Sequence, residues 1–298
     1  MNLEVRHLQQ FVAVAEELHF SRAAERLRIP QPALSAQIKR LEAALRFPLF
    51  ERNTRQVRLT AEGQQLLAAA RAVLEKWDDA VVLANSLRPG ETGRVSLGIS
   101  LRMHSGIRVD IQTRLAELCP GVTVDFTAEG TPRLVDDVEA ARLDAAVCLA
   151  PARRPGLRYQ RVREDRIVAA LPVGHRLAGR VSIELRELAD DVWLMPDRAL
   201  GSTSLLQEMC AAAGVAIRTA EDSTTNFDDE FLAVSTGAGI EVVSSSIVPR
   251  RAVDGVVFVP VEGCHVPLEV VYRAGAVTPA LGHVIRAVME SQGAPALI

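Results

Sequence analysis

The sequence predicts a multi-domain α+β chain: a small helical N-terminal unit closed by a basic hairpin, one long helix, and a larger domain of alternating strands and helices. Three observations predict it. Residues 1–60 hold three short helical patterns separated by turn residues, residues 61–87 contain no proline and a single glycine, and from residue 95 onward short β-branched runs alternate with helical stretches. At 298 residues and 48% hydrophobic, the chain can bury cores for about two domains of roughly 100–200 residues each.

Leu8, Phe11, Val12, Ala15 and Leu18 recur at helical spacing, which places a first helix over about residues 5–18. Ser21 is the expected N-cap of a second helix of about two turns, with Ala23, Ala24 and Leu27 on its inner face. Pro30 and Pro32 stop that helix and start the next, because proline is accepted in a first helical turn and not inside one. In the third helix Leu34, Ile38, Leu41 and Leu45 form a stripe. At about 100° per residue, Pro32, Ala33, Ala36, Lys39 and Arg40 point away from it, with Gln31, Ser35 and Gln37 on the flanks. A tight helix pair whose second member shows a small, polar outer face fits a reader of the DNA major groove, though geometry alone does not separate it from an ordinary helical hairpin. The next segment favours the reader: "LFERNTRQVRLT" places Arg52, Asn53, Thr54 and Arg55 at a hairpin tip before a Val57/Leu59 strand, which makes a winged helix-turn-helix.

Charge agrees. Residues 1–60 hold ten Lys/Arg against six Asp/Glu, a surplus of four, whereas the whole chain is −3, so the remainder carries −7. A basic front on an acidic body is expected if only the front meets a polyanion. In the long segment Leu66, Ala70, Val73, Trp77, Ala80, Ala84 and Leu87 alternate steps of four and three, a heptad stripe that favours pairing with a second helix over packing on its own domain. "RPGETG" then reads as a hinge.

Beyond it, strands are expected at Val95–Ser100, Val122–Phe126, Ala145–Leu149, Ile167–Leu171, Val192–Met195, Ile240–Val243, Val256–Val259 and Leu268–Tyr272, in mostly parallel sheets. Thr131-Pro132 and Thr278-Pro279 are expected helix starts, each Thr an N-cap before an N1 proline. Ligands in such folds bind beyond the C-terminal ends of strands.

Several function classes lose support. The N-terminus scatters Glu4, Arg6, His7, Glu16 and Glu17 among its apolar residues, so neither a signal peptide nor a membrane span is expected, and the cytoplasm is the expected location. Cys119, Cys148, Cys210 and Cys264 lie far apart without a C-x-x-C, and the six histidines form no H-E-x-x-H, so no metal site, disulfide framework or cofactor is expected. "TGAGI" at Thr236 lacks the rest of a dinucleotide fingerprint, and "GISLR" at Ser100 lacks the second glycine of a nucleophile elbow. No enzymatic activity is expected. The rival reading is a solute-binding or enzymatic α/β module with a helical N-terminal dimerisation domain.

The N-terminal residues also carry a family pattern. F-x-x-A-A-x-x-L from Phe20, Q-P-A-L-S from Gln31, I-x-x-L-E from Ile38, L-F-x-R from Leu49 and L-T-x-x-G from Leu59 together resemble the DNA-binding domain of LysR-type transcriptional regulators. "RVSLGIS", "LDAAVCL", "LAVSTGAGIEVV" and "PLEVVYRAG" look like landmarks of that family's effector-binding domain. The resemblance implies a winged helix-turn-helix at 1–60, a linker and dimerisation helix with its hinge at 61–89, and a two-lobed α/β effector domain at 90–298, similar to periplasmic binding proteins. Lobe I would span about 90–162 and 267–298, and lobe II about 163–266. It implies a homodimer or homotetramer acting on double-stranded operator DNA, as activator or repressor, with RNA polymerase a further candidate partner. DNA contact falls on Ser21, Arg22, Gln31, Pro32, Ala33, Ser35, Ala36 and Lys39, and on Arg52 and Arg55 in the wing. Ala36 stands where such proteins usually carry Arg, which removes a bidentate contact at the centre of the face. Arg46 and Phe47 also depart from the pattern. Effector contact falls on Ser100, Arg102, His104 and Thr131 from lobe I and on Ser202, Thr203, Thr225 and Asn226 from lobe II. Arg102, where family members sensing small acids often carry a hydroxyl, suits an anionic effector, and the similarity of "RHLQQFVAVAEELHFSRAAERL" to regulators of aromatic catabolism points to an aromatic or dicarboxylic acid.

Overall fold

The computed structural model describes residues 3–52, 57–88, 91–101, 103, 106–194, 202–220, 231–248 and 254–293. The chain forms two compact units, residues 1–84 with 154–156 and residues 85–153 with 157–298.

The first unit opens with α1 (Val5–Glu17), α2 (Phe20–Leu27) and α3 (Gln31–Leu45). Its turns differ from expectation in one respect: the N-cap of α2 is His19, not Ser21. His19 is extended, and its Nδ1 accepts from the amides of Ser21 at 3.2 Å and Arg22 at 3.4 Å, which leaves Ser21 inside the first helical turn. Arg28, in the left-handed conformation at φ 55°, closes α2, and Pro30 caps α3. Phe11, Ala23, Leu34, Ile38 and Leu49 are fully buried together, and Phe50 meets Phe11 and Phe20 with ring centroids 5.6 and 5.9 Å apart. Each such side chain contributes about 1.5–3 kcal/mol by leaving water. β1 (Phe50–Arg52) and β2 (Val57–Leu59) form the antiparallel hairpin, anchored to α3 because Glu42 Oε1 accepts from the amides of Leu49 (2.9 Å) and Phe50 (3.2 Å). Its tip, residues 53–56, lies outside the described residues.

α4 (Ala61–Ser86) starts where Thr60 Oγ1 accepts from Gly63 N at 2.9 Å. The glycine of L-T-x-x-G has a steric reason: a Cβ at Gly63 would collide with the Leu49 carbonyl oxygen. One residue of the α4 stripe behaves otherwise than expected: Ala70 is buried in the core of its own unit, beside Leu74 and the partly buried Leu66, whereas Val73, Trp77 and Leu87 stay about half exposed or more.

The second unit is built on a six-stranded sheet ordered β4-β3-β5-β10-β6-β9, from β3 (Gly93–Ser100), β4 (Val122–Glu129), β5 (Ala145–Leu149), β6 (Leu157–Pro172), β9 (Glu241–Ser244) and β10 (Val256–Arg273). β3 is parallel to β4 and β5, but every ladder that β6 or β10 forms with another strand is antiparallel, with only the isolated Ile183–Val261 bridge parallel among the described residues, so the expectation of mostly parallel sheets fails. The reason is that β6 and β10 are crossover strands. One half of each pairs within lobe I, the other within lobe II, with register shifts between Pro260 and His265 and between Leu268 and Glu269. The expected strands at 256–259 and 268–272 are thus two ends of one. α5 (Ile107–Leu118), α6 (Thr131–Glu139) and α9 (Pro279–Gln292) belong to lobe I. Lobe II adds β7 (Val192–Leu194) parallel to β8 (Arg218–Ala220), α7 (Ser202–Ala212) and the single turn α8 (Leu232–Ser235). Thr278 caps α9 as expected, accepting from Leu281 N at 3.2 Å. α6 is capped by Gly130 instead, and Thr131 is its first helical residue. No helix among the described residues is long and apolar enough to cross a membrane.

Candidate functional site

In the N-terminal unit α3 has two sharply different faces. Leu34, Ile38 and Leu41 are buried, while Gln31, Pro32, Ala33, Ala36, Lys39 and Arg40 are exposed and Ser35 is half-buried. The apolar face fixes the helix, so its polar face costs nothing to present. No side chain caps the first turn of α3, the end of a helix that best receives a phosphate. Ser21 and Arg22 are exposed at the start of α2, but Arg22 already donates to the Glu17 carboxylate at 3.3 Å and to its backbone carbonyl. The side chain of Arg52, and Arg55 altogether, lie outside the described residues.

In the second unit Ser100 ends β3 and Thr131 opens α6; both are buried, and Thr131 Oγ1 donates to Ser100 Oγ at 3.2 Å. Of the expected effector residues these two come together. Arg102, His104, Thr225 and Asn226 lie outside the described residues, as do the side chains of Ser202 and Thr203 at the start of α7. The Cys148 thiol on β5, hydrogen-bonded to Thr131, is pushed up to about 12 by burial, with the nearby Glu269 carboxylate adding to the rise. Burial likewise pushes Cys210 up to about 11 and raises Cys264, so these thiols stay protonated, and poorly nucleophilic, at neutral pH.

Sequence reasoning missed Glu269. It sits opposite Cys148 across the β5–β10 pairing, 2% exposed, and its Oε1 accepts from Arg153 Nη2 at 2.7 Å. Its Oε2 has no hydrogen-bond partner among the described residues. The Arg153 guanidinium lies 4.4 Å from the Tyr159 ring centroid. The signal was a lone acid in the apolar run "PLEVVY".

A second polar cluster marks the crossover. Asp165 of β6 accepts from Ser244 Oγ at 2.8 Å, from Ser246 Oγ and from Arg163, which also donates to Ser246 Oγ at 2.7 Å and to the Gln292 carbonyl at the end of α9. Beside it lies an open cavity. Leu149 and Ala150 line it from lobe I, Ile167 and Val266 from the crossover strands, and Leu206, Met209, Val243 and Ser244 from lobe II. Among the described residues no group of His, Cys, Asp and Glu could hold a metal ion.

Residues 5–64 match the family "Bacterial regulatory helix-turn-helix protein, lysR family", and residues 88–293 match "LysR substrate binding domain". The chain is 32% identical over 299 residues to the HTH-type transcriptional regulator IlvR of Caulobacter vibrioides, covering 98% of this chain and 100% of that one. It is 30% identical over 293 residues to XapR of Escherichia coli, covering 96% and 98%. Among solved structures it is similar to a cysteine mutant of OxyR from Corynebacterium glutamicum (TM-score 0.61, 22% identity, 98% and 93% covered) and to full-length CbnR in complex with its target DNA (TM-score 0.56, 23% identity, 97% and 99% covered).

Proposed function

The chain belongs to the LysR family of transcriptional regulators, which are DNA-binding proteins and not enzymes, and from that premise we propose how its own residues divide the work. α3 reads operator DNA through Gln31, Pro32, Ala33, Ser35, Ala36 and Lys39, with Ser21 and Arg22 and the wing residues Arg52 and Arg55 on the flanking backbone. The two-faced burial of α3 carries this reading: a helix pinned by Leu34, Ile38 and Leu41 offers its opposite face rigidly. With Ala36 in place of a guanidinium, that face distinguishes bases mainly by shape and by contact with thymine methyls, while Lys39 supplies charge.

Family members respond to small molecules and form oligomers. In this chain the boundaries are placed at 1–60, 61–89 and 90–298, with lobe I at about 90–162 and 267–298 and lobe II at about 163–266. Ser100 and Thr131 supply hydroxyls to the effector, with Arg102, His104, Ser202, Thr203, Thr225 and Asn226 around them. The open stripe of Val73 and Trp77 on α4 joins two copies, as a homodimer or within a homotetramer, and the protein works in the cytoplasm. The experiment is selection from a random duplex library by the full-length chain. Enrichment of a motif whose two halves are related by a dyad and spaced by whole helical turns is expected. Recovery of unrelated sequences would leave DNA reading unsupported and favour the solute-binding alternative.

A further inference from the structure

Strand β6 is clamped by side chains at the point where it leaves lobe I, and we propose that this clamp, Arg163 with Asp165, is a latch that holds the two lobes in one orientation and opens at a single bond, the one from Arg163 to the end of α9. The inference rests on the reading that this domain signals a bound molecule through the arrangement of its lobes, and it assigns the residues that set that arrangement.

Three observations carry it. The pair is deeply buried, its side chains 7% and 1% exposed, so two charges stand where only complete hydrogen bonding offsets their loss of water. That bonding spans the fold. Asp165 accepts from Arg163, from Ser244 on β9 and from Ser246 in the short 3-10 turn Ser245–Ile247, while Arg163 donates to Ser246 Oγ at 2.7 Å and to the carbonyl of Gln292, the last residue of α9. β9 and the turn belong to lobe II and α9 to lobe I, so one planar guanidinium with fixed donor directions joins both. The third observation is position. Arg163 pairs with Leu268 and Arg161 with Glu269, which leaves Val162 as an extra residue in β6 where the strand passes between lobes. A strand bends readily at such a bulge, so the backbone alone does not fix the angle there and the side chains beside it do.

The two sides of the latch are unequal. Toward lobe II the guanidinium meets a full carboxylate and a hydroxyl that the same carboxylate holds, whereas toward lobe I it meets one neutral carbonyl. A change of orientation therefore breaks the carbonyl bond first. A charged-to-neutral bond of this kind weights two arrangements by roughly ten- to a hundredfold, the scale on which a bound ligand shifts such an equilibrium.

The test is double electron–electron resonance on the full-length chain with no ligand added. Nitroxides sit at Ala140→Cys in lobe I and Val181→Cys in lobe II, both exposed positions, in a Cys264→Ser background, since the other three cysteines are buried. Labelled chain is diluted with unlabelled chain so that only distances within one protomer are read. With the latch intact, one narrow distance is expected. Arg163→Met removes every donor, so a second distance should appear, with the ratio of the two arrangements shifted at least tenfold. It also strands the Asp165 charge and should lower the melting temperature. Adding Asp165→Asn removes that charge but keeps an acceptor for Ser244 and Ser246, so the double variant should recover most of the melting temperature and still show the second distance. A double variant that melts like the wild type and keeps one distance would overturn the proposal and reduce the pair to a stabilising contact. Two comparably populated distances in the wild type would overturn it as well. A second distance in both variants with operator affinity and footprint unchanged would instead keep the latch and overturn the reading that lobe orientation signals to DNA.

Discussion

Helix α3 and strand β10 are similar in length, 15 and 18 residues, and both bury an apolar set, yet they are determined in opposite ways. The burial of α3 follows from its own 3.6-residue period, so its outer face is fixed by its own sequence. β10 acquires its faces from β5 and β6, whose paired residues lie between 84 (Val256 with Pro172) and 127 (Tyr272 with Ala145) positions away in the chain. Local elements expose surfaces that can be read one at a time, while crossover strands create sites that exist only once distant segments meet.

Removing one buried side chain from each should separate the two kinds. Ile38→Ala in α3 and Leu268→Ala in β10 each leave a cavity at a fully buried position, at about 2–5 kcal/mol. Ile38→Ala should lower one calorimetric transition and abolish DNA binding with ligand binding retained. Leu268→Ala should lower the other transition and abolish ligand binding first. If both variants melt identically, the two units fold as one and the two elements are not determined separately.

The buried Glu269 is a further product of the crossover. Arg153→Ala leaves both its oxygens without a partner and should cost about 1–3 kcal/mol. A further Glu269→Leu change should restore most of that loss, as urea denaturation will show. No rescue would mean that Arg153 acts through its contact with Tyr159.

On α4 the inner and outer halves of the stripe invite the same contrast. Trp77→Glu changes a side chain 48% exposed in the single chain, so the unit should remain folded while sedimentation shows dimer dissociation at least tenfold easier, about 1.4 kcal/mol. An unaltered dimer would remove Trp77 from the interface.

The Cys148 thiol gives the smallest signal. Burial raises its pKa to about 12, so between about pH 9 and 12 the native state keeps a proton that the unfolded state has lost. Stability should therefore fall as pH rises through that window, by up to about 1.4 kcal/mol per unit, and be fully retained below it. Cys148→Ala should flatten the slope relative to the wild type. Equal slopes would assign it to other groups.

Against this background, what could be read in the sequence divides along the same line. The three N-terminal helices, the hairpin and the long helix were legible because caps, prolines and periodicity act within a few residues. His19 escaped as a cap because histidine capping depends on its tautomer and backbone, not on residue type. In the larger domain β3, β4, β5 and α9 were legible, but the lobe I half of β6 was not, since "LRYQRVRED" mixes charges with apolar residues where the strand passes between lobes. The positions of Ser100 at a strand end and Thr131 at a helix start were legible, because both follow from local patterns. The Arg163–Asp165–Ser244 cluster, the Glu269–Arg153 pair and the cavity were not, because each joins segments that only the antiparallel crossover brings together.

Whether the outer face of α3 meets DNA is decided by a salt titration of operator affinity. By fluorescence anisotropy, the full-length wild type should prefer operator over scrambled duplex and lose affinity linearly in log–log form with salt. Lys39→Ala should weaken both duplexes and reduce the slope by about 0.9 per protomer that contacts DNA, while Gln31→Ala should erode the preference with the slope unchanged. Unchanged affinity, slope and preference in both variants would contradict that contact and take α3 off the DNA.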